Sequence, residues 1–376
     1  MEWKEVRLGD YIKTNETQYS IKENWENFVY LDTGSIIEGR IDTLLYFTKE
    51  DKLPSRARRK VRHGDIIYSC VRPNQRHYGY INIPVENLLV STGFVVISCK
   101  NIDSKYLYYY LTQDTIINYL QNIGEQSVST YPTIKPQDIE DIFIRIPSDI
   151  EDQRRIASIL SSLDRKIEFN NKINADLEEM AQAIFKNWFV DFEPFKDGKF
   201  VDSELGMIPE GWKVVTLDEI ADITMGQSPA GNSLNEKGEG MIFYQGSSDF
   251  GFRFPSIRVF TTEPKRLAVV NSVLFSVRAP VGDINVTKEE CCIGRGVASI
   301  KSKYGHDSYL FYTMKSLHKL FDSFDGEGTV FGSINKKTLS AIQILLPSDG
   351  IVEQFNDIAS SFDNRITKVS HPKIMG

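Results

Sequence analysis

An α+β architecture in two similar halves, each followed by a helix, is what this chain predicts. Three observations carry that expectation: an internal repeat, short β-branched and aromatic runs inside each repeat, and a long apolar stripe between them. The repeat is explicit. Trp3-Lys4-Glu5-Val6-Arg7-Leu8 recurs as Trp212-Lys213-Val214-Val215-Thr216-Leu217. Gly64-Asp65-Ile66-Ile67-Tyr68-Ser69-Cys70-Val71-Arg72-Pro73 has a counterpart in Asn271-Ser272-Val273-Leu274-Phe275-Ser276-Val277-Arg278-Ala279-Pro280. Tyr106-Leu107-Tyr108-Tyr109 matches Tyr309-Leu310-Phe311-Tyr312, and Ile134 through Ser148 matches Ile334 through Ser348. Four matches in one order indicate a duplicated domain with divergent interior segments. The period is far too long for a solenoid.

Within the first half, Ile66–Val71, Phe94–Ile97 and Ile142–Ile146 have the composition of short strands. Ser104 through Leu120 has that of a helix, and Gly, Pro, Asn and Ser punctuate the rest. From Ile156 the texture changes. A heptad seam runs through Ile156, Leu160, Leu163, Ile167, Asn170, Asn174, Leu177, Ala181, Ile184 and Trp188, with no Pro or Gly between Glu151 and Glu193. That predicts a coiled-coil helix of roughly 40 residues, roughly 60 Å long at 1.5 Å per residue. The signature restarts at Gln354, with Ile358, Phe362 and Ile366 on the seam. Expected boundaries are a first domain over 1–147, the central helix over 148–198, a second domain over 199–347 and a short distal helix over 348–376. Two equivalent helices can pack antiparallel and relate the domains by a pseudo-twofold axis. Because the distal helix is about half as long, the stretch from Leu177 to Trp188 is expected to lack a partner within the chain.

Composition excludes several classes. With 41% hydrophobic and 25% charged residues, the chain has the material for more than one core and is not disordered. No apolar run reaches a membrane span and no secretory signal opens the chain, which predicts a cytoplasmic protein. Four Cys (Cys70, Cys99, Cys291, Cys292) lie in strand-like runs and are expected as reduced, buried thiols. Walker A, H-E-x-x-H, C-x-x-C and G-x-S-x-G motifs are absent, and Gly238-Glu239-Gly240, Gly294-Arg295-Gly296 and Gly326-Glu327-Gly328 open no dinucleotide fingerprint. Neither a catalytic centre nor a metal site is predicted.

The net charge of −7 hides a sorted distribution. Between residues 52 and 77 stand Lys52, Arg56, Arg58, Arg59, Lys60, Arg62, Arg72 and Arg76 against the single acid Asp65. Beside them are Asn74 and Gln75. Arg can bind guanine O6 and N7 with two hydrogen bonds, Asn and Gln can do the same for adenine N6 and N7, and any of the bases can neutralise phosphate. Arg56, Arg58, Arg59, Lys60, Arg72, Asn74, Gln75 and Arg76 are therefore the candidate DNA-binding residues of the first half. A solvated loop with Arg72 in a structural ion pair is the plain alternative.

The ordered motifs resemble those of the specificity (S) subunit of Type I restriction-modification enzymes, over nearly the whole chain. The resemblance is carried by Ile208-Pro209-Glu210-Gly211-Trp212-Lys213, Gly64 through Ser69, Ser276-Val277-Arg278-Ala279-Pro280-Val281-Gly282, Ile293-Gly294-Arg295-Gly296 and the helix Leu163 through Ile173. It implies two target recognition domains, each reading one part of a split, asymmetric site in double-stranded DNA, spaced by an antiparallel coiled coil. It implies docking of modification (M) subunits, which methylate adenine, and of restriction (R) subunits. S-adenosylmethionine, ATP and magnesium are then expected on those partners, with no cofactor on this chain. In the second half the implied readers are Gln227, Ser228, Arg253, Arg258, Lys265, Arg266, Arg278 and Arg295, with Arg278 expected at the place of Arg72. The seam left uncovered, from Leu177 to Trp188, is the expected surface for a modification subunit or a second copy. A non-catalytic scaffold that binds proteins through its two domains and coiled coil is the competing reading.

Overall fold

The computed structural model describes residues 1–127, 130–324 and 332–370. Gly326-Glu327-Gly328 and the tail from His371 lie outside them. The chain divides into two compact units, Met1–Ile167 and Glu168–Gly376. The division falls inside one 40-residue helix, Ile150–Phe189, so its first part belongs to one unit and its second part to the other.

In the first unit, strand Trp3–Arg7 pairs antiparallel with Phe143–Pro147, which brings the two ends of the domain together. The Leu8 N–H donates to the Ile142 carbonyl at 2.9 Å and locks that closure. One four-stranded sheet runs Ile12–Thr14, Phe94–Cys99, Ile66–Ser69, Tyr78–Tyr80. A second runs Leu45–Thr48, Asn27–Leu31, Leu88–Ser91, Ala57–Lys60. Ile66 and Tyr68 face Leu107, Leu111 and Leu120, whereas Ile67 faces Val29, Leu31 and Val90. Strand Ile66–Ser69 is thus buried on both faces, which is why its sequence is continuously apolar rather than alternating. The helix expected from Ser104 to Leu120 is two helices, Ser104–Leu111 and Asp114–Glu125. The break is at Gln113, whose extended backbone (φ −68°, ψ 141°) serves as the cap of the second.

The second unit repeats the frame. Strand Lys213–Thr216 pairs with Gln343–Leu346, and the Leu217 N–H donates to the Ile342 carbonyl at 2.9 Å. Its four-stranded sheet has the same neighbours: Ala221–Met225, Val297–Ser302, Val273–Ser276, Ile284–Val286. In the other sheet Met241–Tyr244 runs parallel to Cys291–Ile293, as Asn27–Leu31 runs parallel to Leu88–Ser91.

Helix Asp349–Val369 packs on the end of the central helix in the second unit. Phe355 meets Phe189, Phe185 and Trp188 at ring-centroid distances of 5.2, 5.5 and 6.3 Å. Near its other end, the Ser370 hydroxyl accepts from the Asn174 side-chain amide at 3.1 Å. Rising residue numbers on one helix meet falling numbers on the other, so the pair is antiparallel. This overturns the expectation for the seam. Ala181 is fully buried in the core, and Ile184 and Trp188 pack against it with Phe362. Ile366 is buried too, and Ile358 lies at the edge. The distal helix begins beside the second unit, so it covers the end of the central helix first and reaches back only to Asn174. The bare seam residues lie earlier, at Leu163 and Ile167, 54% and 58% exposed, with Ile159 beside them 65% exposed. Ile156, Leu160, Asn170 and Leu177 are half-buried.

Phe355→Ala is therefore expected to destabilise the second unit by about 3–5 kcal/mol. Leu163→Ala, on the bare stripe, is expected to stay within about 0.5 kcal/mol of wild type. Chemical denaturation of the two variants checks the contrast, and equal losses would contradict it.

Candidate nucleic-acid interface

The basic run of the first unit separates into groups with different surroundings. Lys60 donates to Glu23 at 2.7 Å and lies over the Trp25 ring. Arg76 donates to Glu38 at 3.2 Å and to Asp114 at 2.6 Å. The hydrogen bond to Asp114 is the main cause that holds the Arg76 pKa above its ordinary value. Arg76 thus pins the loop of Glu38 to the start of a helix, and its charge is spent locally. Arg62 is likewise paired with Glu16 at 2.7 Å.

Arg56 and Arg58 are exposed and have no acidic partner among the described residues, though the Arg58 Nε donates to the Ser55 carbonyl at 3.3 Å. Arg59 is half-buried, with its Nε and Nη1 buried and without a partner. Desolvation lowers its pKa. Leaving two buried donors of a guanidinium unanswered is costly. The Arg72 guanidinium stacks 4.4 Å above the Tyr131 ring. Its backbone is left-handed (φ 49°, ψ 69°), a strained conformation for a non-glycine residue that is worth about 1–3 kcal/mol. Asn74 and Gln75 are exposed on the following turn.

In the second unit a cleft of about 250 Å³ is lined by Ser228, Gln245, Ser247, Ser248, Arg278 and Arg295. Glycines make it possible. A Cβ on Gly226 would lie 2.1 Å from the Gly294 carbonyl oxygen, and one on Gly296 would lie 2.5 Å from that of Gln245. The chain segments can close together only without side chains there. Arg295, between Gly294 and Gly296, is pushed outward and exposed, and its N–H donates to the Ser228 hydroxyl at 3.2 Å. Neither Arg278 nor Arg295 has a side-chain partner among the described residues, so their donors are free for a ligand.

Other expected readers are placed elsewhere. Arg253 is 4% exposed and buried against the helix pair, which removes it from any DNA-facing surface. Arg258 is exposed but paired with the buried Asp249. Its pKa is raised by that hydrogen bond. Gln227, Lys265 and Arg266 are exposed and do not line the cleft. The equivalence of Arg278 with Arg72 is also corrected. Ser69 Oγ donates to the Val71 carbonyl, and Ser276 Oγ donates to that of Arg278. Val71 bridges Thr133 as Arg278 bridges Ser333. Arg278 therefore stands where Val71 stands, one residue before the place of Arg72. Gln245, Ser247, Ser248 and Tyr131 were not singled out by sequence. The only signal for the first three was their place just after an aromatic strand ending at Tyr244.

These features have close relatives. The model of the Type I restriction modification DNA specificity domain matches residues 1–179 and 209–374. The chain belongs to this family. A protein of Methanocaldococcus jannaschii, provisionally named the MjaX type I restriction enzyme specificity subunit, is 32% identical over 92% of this chain and 83% of its own length. The HindI specificity subunit of Haemophilus influenzae is 24% identical over 97% of this chain and 94% of its own. The crystal structure of an S subunit from M. genitalium shares the fold, with a TM-score of 0.55 and 15% identity over 98% of this chain and 91% of that one. Among the described residues no helix is long and apolar enough to cross a membrane, and no cluster of His, Cys, Asp or Glu is arranged to hold a metal ion.

Gly226→Ala forces a shift of backbone rather than of a flexible side chain. It is expected to destabilise the second unit by about 1–3 kcal/mol. Ala in place of the unobstructed Gly231, 0.5 kcal/mol or less by the same denaturation assay, is the control.

Proposed function

We propose that this chain is the sequence-reading subunit of a Type I restriction-modification enzyme, each unit reading one part of a split, asymmetric DNA target. The observation that carries this is the pairing of two exposed arginines, Arg278 and Arg295, unpartnered among the described residues, with Gln245 and four serines around one cleft. Arginine forks and an amide are the donors that read guanine and adenine edges. Arg56, Arg58, Arg59 and Arg72, without acidic partners among the described residues, supply the first unit's surface, with Asn74 and Gln75 beside them. The divergence of segments 13–60 and 227–266 between the halves implies that the two half-sites differ.

The stripe Ile159, Leu163 and Ile167 is the surface we assign to a modification subunit, because large apolar side chains in a row on a helix gain most from being covered. S-adenosylmethionine, ATP and magnesium belong to the modification and restriction subunits in this reading, and this chain contributes recognition alone.

With the chain assembled with its modification subunits, Arg278→Ala should cost about 1–3 kcal/mol and relax one base of one half-site. Arg56→Ala should weaken all sequences alike and reduce the salt slope by about 1. Fluorescence binding titrations over a salt series measure both, and the reading fails if both variants bind as wild type does. Separately, Leu163→Asp should abolish co-assembly with the modification subunit in light scattering while leaving the melting temperature unchanged. Intact assembly would remove the stripe from the interface.

A further inference from the structure

Arg253, 4% exposed, is a buried charged side chain outside the cleft that the reading above leaves without a task. It sits in the segment between strands Met241–Tyr244 and Val259–Thr261. Its guanidinium bridges the two helices of the second unit. Nη1 donates to Glu178 of the central helix at 3.3 Å, and Nη2 donates to Asp363 of the distal helix at 2.6 Å. The plane stacks 3.6 Å above the Phe311 ring. Asp363 also accepts from Tyr312 at 3.1 Å and from Ser308 at 2.6 Å, and Glu178 accepts from Lys315. A buried acid, Glu178, and a half-buried one, Asp363, are thus matched by one arginine and one lysine, and each carboxylate has several donors.

The first unit holds the same tyrosine–aspartate contact without the arginine. Tyr109 donates to Asp164 at 2.5 Å, and both residues precede their counterparts Tyr312 and Asp363 in the repeat. No arginine is bonded to Asp164 among the described residues. The bridge is a feature of the second unit.

The segment carrying Arg253 is also the wall of the reading cleft. Gln245, Ser247 and Ser248 line the cleft, and Asp249 ties that stretch into one piece. The Gln245 N–H donates to the Asp249 carboxylate at 2.9 Å, and the Ser256 N–H donates to the Asp249 carbonyl at 2.8 Å. Asn285 holds Gly251 by two hydrogen bonds of 2.9 Å, one to its N–H and one to its carbonyl. The Val286 N–H, next to Asn285, donates to the Arg253 carbonyl at 2.8 Å, so the stretch between the cleft and the helix pair is held by hydrogen bonds at 245, 249, 251 and 253.

We propose that Arg253 is a positioning residue: it fixes the wall of the second unit's reading cleft to the paired helices, so that the half-site is read only when the distal helix is seated. This rests on the reading of the cleft given above. A lysine could not replace it, because a single ammonium cannot fork between two carboxylates on different helices and stack on a ring at once.

The test uses the full chain, alone and assembled with its modification subunits, with Arg253→Met and Arg253→Lys. Asp363→Asn, nearly isosteric, is added in case the methionine variant fails to fold. In Arg253→Met, amide hydrogen exchange of residues 245–252 and 356–366 should quicken by about tenfold or more, while strand Val297–Ser302 exchanges as in wild type. Preference for the half-site read by the second unit should fall about tenfold, with the other half-site unaffected. Arg253→Lys and Asp363→Asn should fall between methionine and wild type in both measurements. Wild-type exchange in 245–252 would overturn the proposal, as would faster exchange with half-site preference intact. A wild-type chain with no half-site preference would fault the functional reading instead, and the exchange measurement would still decide whether Arg253 anchors the wall.

Discussion

The antiparallel seating of the distal helix on the end of the central helix is the contact on which the second unit is organised. Phe355 is completely buried among Phe185, Phe189 and Tyr309, and Ala181 and Ala359 are buried in the same core. Edge-to-face aromatic pairs of this kind each add about 0.5–1.5 kcal/mol beyond the area they bury. The same core runs on into strand Val273–Ser276 and helix Asp307–Ser316. The helix pair is therefore part of the domain, and the word linker does not describe it. Charged groups are admitted to this core only where they can be fully answered, as at Glu178 and Asp363.

A duplicated frame with different fillings explains how two units can share topology and differ in surface. The ladder that joins each unit's first and last strands, and the sheet that follows it, are the same twice. What differs is how each unit spends its arginines. In the first, Arg76 secures a loop to Glu38 and Asp114. In the second, Arg253 does comparable work against the helices. Arginine is used as a structural fork and as an exposed donor within one chain, and neighbouring acids decide which.

Much of the frame was legible from the sequence. The heptad stripe located the central helix, because no proline or glycine interrupts it, but the expected span of 148–198 ran past the end of the helix at Phe189. Strands such as Phe94–Cys99 stood out through their β-branched and aromatic content. The stripe could not say what covers it. An apolar seam records that a partner exists, and chain order alone misplaced the partner by assigning cover to the wrong end. The charge run was similarly incomplete. Its count of bases was correct, but the acids that neutralise Arg76 and Arg253 come from 38 to 110 residues away. A local window does not see them. The cleft was half-legible: Arg278, Arg295 and Ser228 are prominent in the sequence, whereas Gln245 enters only because Gly294 and Gly296 allow its strand end to come close.

The one-residue offset between Arg72 and Arg278 bears on how such a chain could be recombined. A cut placed to align the two arginines would slip the following turn by one residue against the bridges that Val71 makes with Thr133 and Arg278 with Ser333. Ser69 and Ser276 make the same hydrogen bond in both units and give a common origin for counting. A graft joined at those serines keeps the sheet in register and carries each arginine with its own turn. The conspicuous residue is a poor place to cut, and the inconspicuous serine three or two positions before it is a sound one.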